Sequence, residues 1–184
     1  FMQLADKVKH ARQVISGVID ATGLSEPVSD ALQNAGFVLD SESPMQQLQA
    51  QLQSEVLGFI QDDRELVEGG TPKGANIYQR FTQSLQSSPG YSALINLQEA
   101  RAQAQDLTDA SRKKLLRQQL DAFAEHASQF SPSIYTRARA VTLVDMGLQD
   151  QAASEVDQAI DASQTGSLDW LDLNIFAAEL EASK

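Results

Sequence analysis

Apolar residues in this chain recur every three or four positions and do not alternate, so each long segment between breakers has to bury a helical stripe rather than one face of a strand. Leu4, Val8, Ala11, Ile15 and Val18 form one such stripe, which Gly23 can end. Ser25 is placed to cap a second segment carrying Val28, Ala31, Leu32 and Ala35, with Gly36 closing it and Phe37-Val38-Leu39 as a linker. Ser43-Pro44 starts a long helix whose face runs from Met45 through Leu48, Leu52, Val56, Phe59 and Ile60 to Val67. After the Gly/Pro-rich stretch 69–74, Ile77, Tyr78, Phe81 and Leu85 predict a short helix stopped by Ser87-Ser88-Pro89-Gly90. Segments 91–105 and 108–130 read as a hairpin, with Leu94, Leu97 and Ala104 facing Leu116, Leu120, Phe123, Ala127 and Phe130. The fold class is therefore all-α, a bundle or stack of antiparallel helical hairpins. Two regions are expected, an amino-terminal bundle over 1–90 and hairpins over 91–184.

Composition narrows the function classes. The 184 residues carry 14 Lys and Arg against 25 Asp and Glu, a net charge of −11, which opposes the counterion-releasing contacts of a general nucleic-acid binder. No apolar run reaches the roughly 20 residues of a membrane span. Cysteine is absent and there are only two histidines, His10 and His126, so thiolate and imidazole-rich metal sites are not expected. The 22 glutamines are spread along helices and read as polar faces. The acidic group Asp62, Asp63, Glu65 and Glu68 lacks the spacing of a calcium loop, and the 69–74 stretch fails the Walker pattern. No nucleophile, base and orienting group can be assembled, so the chain is read as non-enzymatic with no cofactor. The cytosol is the favoured compartment; the periplasm is the alternative if a leader preceded Phe1.

Charge is unevenly distributed. From Val141 onward there are nine acidic residues and a single Lys184, about −8 in all, whereas everything earlier sums to about −3. Arg112, Lys113, Lys114 and Arg117 open a helix, where the macrodipole disfavours cations, so an acidic neighbour or partner is expected there.

The segment after Ser131-Pro132 runs Ile134, Tyr135, Arg137, Ala138, Ala140, Val141, Leu143 and Val144 to Gly147, then Ala152, Val156, Ala159 and Ile160. This resembles a tetratricopeptide repeat, with Ser133 as position one of a 34-residue unit and a second unit opening at Ser167. Trp170 and Leu173 then take first-helix positions of the second unit, and the final helix stands as a cap. The pattern departs from the family at Thr136 and Arg139, where an aromatic and a leucine are usual, at Gln149, and at Gln164.

The resemblance implies that stacked hairpins present the inner faces of their first helices to a peptide or helix of a protein partner. On this register that face holds Ile134, Arg137, Val141, Val144 and Asp145, with Arg137 suited to a carboxylate. Trp170 and Phe176 complete the expected partner-binding set. The last helix carries apolar residues on more than one face, which predicts either packing onto the amino-terminal bundle or a surface for another chain, including a second copy. The rival functions are a helical-bundle sensor with a ligand pocket among the amino-terminal helices and an oligomeric structural component.

Overall fold

The described residues of the computed structural model are 2–22, 25–35 and 77–183. They form eight α-helices, and no strand occurs among them. The expected helix over 43–67, the 37–39 linker, the acidic group at 62–68 and the 69–74 stretch lie outside the described residues. By contacts the chain divides into two compact units, 1–95 and 96–184.

In the first unit, α1 (Met2–Thr22) buries Ala11, Ile15 and Val18 of the stripe that the spacing predicts, together with Val14. α2 (Glu26–Asn34) packs on α3 (Ile77–Leu85), with Val28, Ala31 and Leu32 buried on one and Phe81 and Leu85 on the other. Ser25 occupies the N-cap position of α2, but its side chain makes no capping bond. Its hydroxyl instead meets the Tyr91 hydroxyl at 3.1 Å. Pro27 in the first turn already removes one donor from the helix start, which lessens the need for a cap.

α4 (Pro89–Ala104) starts two residues before the expected Tyr91, because Pro89 is suited to a first helical turn. α5 (Asp109–Ala124) is capped by Thr108, which accepts from the Ser111 amide. It ends well short of the expected Phe130. The amides of Glu125 and His126 bond back to Ala122 and Phe123, three residues away, so the last turn tightens and gives way to a single 3-10 turn, Ala127–Gln129. Phe130 and Ser131 are extended, as a chain about to enter Pro132 requires.

The second unit is organised by α6 (Pro132–Asp145), α7 (Gln149–Ala162) and α8 (Leu168–Ala182), each of which packs on the other two. Ser131 and Ser167 cap α6 and α8 by accepting from the amides three residues on. α6 therefore begins one residue before the Ser133 of the expected register. Between α6 and α7 the chain closes a Schellman motif: Leu148 N–H bonds to Leu143 C=O and Gly147 N–H to Val144 C=O. Gly147 has φ +79°, a left-handed conformation that costs glycine nothing. Such short turns make neighbours antiparallel, so α6 and α8 run parallel. Two contacts agree with this. Ser133 and Asp169 meet at the starts of α6 and α8, and Val144 and Leu180 line one pocket at their ends. The core holds Ala140, Leu143, Ala152, Val156, Leu173 and Phe176.

Candidate interaction surface

Of the seven predicted partner-binding residues, six are half-buried and Phe176 is buried. Ile134, Val141 and Val144 are half-buried on α6. Val144 also lines a pocket of about 330 Å³ with Gln149, Ala153, Leu180 and Ser183. Arg137 is half-buried too, but its guanidinium lies 5.0 Å over the Phe176 ring, a cation–π contact that joins α6 to α8.

Phe176 and Asp145 are engaged within the second unit. Only 7% of Phe176 is exposed, and its ring packs under Arg137. Asp145 accepts from Arg101 Nε at 2.6 Å, and Arg101 Nη1 donates to Gln98 Oε1 at 2.9 Å. This chain ties the carboxyl end of α6 to α4. Trp170 is half-buried.

The final helix supplies what remains of the surface. Leu173 and Phe176 face inward, while Leu168, Leu171 and Ile175 stand 79%, 44% and 56% exposed. These three residues lie 34 positions after Ile134, Arg137 and Val141 respectively. Both rows point away from α7. On α6, Val141 is two residues from Arg139, which bonds to Glu155 of α7, and two residues on a helix turn roughly 200°. On α8, Leu171 and Ile175 each stand two residues from buried Leu173. Two parallel, adjacent helices thus carry rows at matching register on one side of the layer, apolar throughout on α8 and apolar except for Arg137 on α6. The expectation of an apolar excess on the last helix holds; Leu168, Leu171 and Ile175 are its exposed members.

Several polar contacts tie this layer together. Ser133 donates from both Oγ and the backbone N–H to Asp169 Oδ1, at 2.7 and 3.3 Å. Since Ser133 lies in the first turn of α6, one carboxylate of α8 satisfies an otherwise orphaned helix-start amide of α6. Arg139 pairs with Glu155, and that bond holds the Arg139 guanidinium above its usual range despite partial burial. Arg139 also lies 5.7 Å over the Tyr135 ring, which stacks on Phe123 at 5.2 Å, with Phe130 on Phe123 at 5.4 Å. None of these pairings is visible in linear spacing; the departure at Arg139 from an apolar pattern is the one signal that could have flagged them.

At the basic start of α5, Arg112 and Lys113 find partners nearby. Lys113 meets Asp109 at 3.2 Å, and Arg112 donates to the carbonyls of Ala104 and Leu107 at 3.1 and 3.2 Å. His126 meets the Gln129 side chain at 3.0 Å. Among the described residues no group of His, Cys, Asp or Glu is arranged to hold a metal ion, and no helix is long and apolar enough to cross a membrane. In comparisons with known proteins, no family model, no curated sequence and no solved structure matches the chain.

Proposed function

We propose that this chain is a protein-interaction module whose α6–α8 layer captures a peptide or helix of a partner protein. One observation carries the reading: the exposed row Leu168, Leu171 and Ile175 repeats, at an offset of 34, the half-buried row Ile134, Arg137 and Val141 on the parallel helix. Exposed apolar side chains aligned at helical register are costly to leave in water, and a partner that covers them recovers that free energy. The layer is preformed. Capped starts on α6 and α8, the Gly147 turn and the Arg139–Glu155 pair hold both rows in place before binding, which lowers the ordering cost of association.

The test is affinity capture from the native source with the full chain. Ile134→Asp with Val141→Asp should lose the proteins that the unaltered chain retains. Gln118→Glu, an exposed change on α5, should retain them. Equal recovery with all three chains would remove this reading.

A further inference from the structure

The outer side of α8 carries a finer pattern. Leu168, Leu171, Ile175, Ala178 and Ala182 follow one another at steps of three, four, three and four, all on the exposed side of the helix. This is the spacing of a helix-pairing seam over two heptads, large at its amino-terminal end and small at its carboxyl-terminal end. Small residues there let a second helix approach closely, and the leucines and isoleucine supply apolar area.

The flank of the seam is acidic. Asp172 and Glu179 sit four residues after Leu168 and Ile175, both are exposed, and neither has an ion-pair partner among the described salt bridges. Neither α7 nor α8 contains a lysine or arginine. The α8 of a second copy would therefore bring acidic flank against acidic flank, and the repulsion opposes pairing of α8 with itself. A helix with basic flanks meets the opposite situation: its seam residues cover the apolar row while its cations face Asp172 and Glu179.

We infer that α8 docks an amphipathic helix with an apolar seam flanked by Lys or Arg. This rests on the interaction-module reading above and narrows it to one partner chemistry.

The experiment uses the full chain and two synthetic helical peptides with identical Leu/Ile seams, one with Lys at every flanking position and one with Glu, followed by fluorescence anisotropy. The Lys peptide should bind at least about tenfold more tightly than the Glu peptide, and added salt should narrow the gap. Ile175→Asp, at a site exposed enough to leave the fold intact by circular dichroism, should abolish that binding. Asp172→Lys with Glu179→Lys should reverse the preference.

Equal binding of the two peptides overturns the charge selection, while loss of both on Val141→Asp would keep the broader surface reading. Failure of both peptides overturns this inference alone if captured native proteins still depend on Ile134 and Val141, and overturns both readings if they do not. A dimer by sedimentation that Ile175→Asp dissolves assigns the seam to a second copy and overturns the inference.

Discussion

Arg139 on α6 grips Glu155 on α7 through two hydrogen bonds, Nε to Oε2 at 3.0 Å and Nη2 to Oε1 at 3.1 Å. With the side chains 19% and 24% exposed, the pair is neither a solvated surface bridge nor a fully buried one. Glu155→Ala strands a guanidinium between two helices and should cost about 1–2 kcal/mol in urea unfolding. Arg139→Leu combined with Glu155→Leu should recover most of that loss, because two apolar side chains can fill the gap between the helices without leaving a charge unpaired. A double variant as unstable as the single one would mean that the ion pair itself, not the filling of the gap, holds the hairpin. The bond raises the Arg139 pKa, so its contribution is complete wherever the guanidinium is charged and fades only as pH climbs through that raised value. Stability differences between the unaltered chain and Arg139→Leu should therefore stay flat from neutral to moderately alkaline pH.

Asp169 serves two helix starts, its own on α8 and, through Ser133, that of α6. Asp169→Ala should destabilise the second unit by on the order of 1–2 kcal/mol, since it removes a charged acceptor from two positive helix ends. Asn keeps one oxygen acceptor and should fall between the two. Amide hydrogen exchange at Ser133 is the direct readout, and unchanged protection in Asp169→Ala would show that the carboxylate is not what protects that amide.

Gly147 has φ +79°, and an added Cβ there meets nothing within 4 Å. Strain without collision sets the cost: Gly147→Ala should lose about 1 kcal/mol, the usual penalty for a left-handed alanine. Gly147→Asn should lose less. The urea midpoints of the two variants order them, and equal midpoints would indicate that the turn relaxes into another conformation.

Arg112 clasps the carbonyls of Ala104, the last residue of α4, and Leu107 in the turn that follows, a task that needs two divergent N–H groups. Lysine offers a single ammonium centre, so Arg112→Lys should behave nearly as poorly as Arg112→Ala in thermal unfolding, each losing roughly 1 kcal/mol. Full rescue by lysine would point to charge near Asp109 rather than to the carbonyl clasp.

Helix positions were legible because a spacing of three and four is a local property. The α1 stripe at Ala11, Ile15 and Val18 and the α3 pair Phe81 and Leu85 follow from it. Helix ends were less legible. The end of α5 at Ala124 and the 3-10 turn after it depend on Phe123, Phe130 and Tyr135 finding one another, and that clustering leaves no mark on the spacing of any one segment.

The candidate surface divides in the same way. The apolar excess of the last helix stands out in the sequence because it is a local property, whereas Ile134 and Val141 stand out only through the 34-residue resemblance. That Phe176 turns inward under Arg137, that Asp145 is taken by Arg101, and that Ser25 spends its hydroxyl on Tyr91 instead of on its own helix could not be read there. By itself the sequence determined that the chain is helical, acidic toward its carboxyl end and provided with turns at fixed points, since those depend on neighbours a few residues apart. Tertiary structure alone decided which faces meet and which remain exposed, because burial is a property of helices brought together from distant parts of the chain.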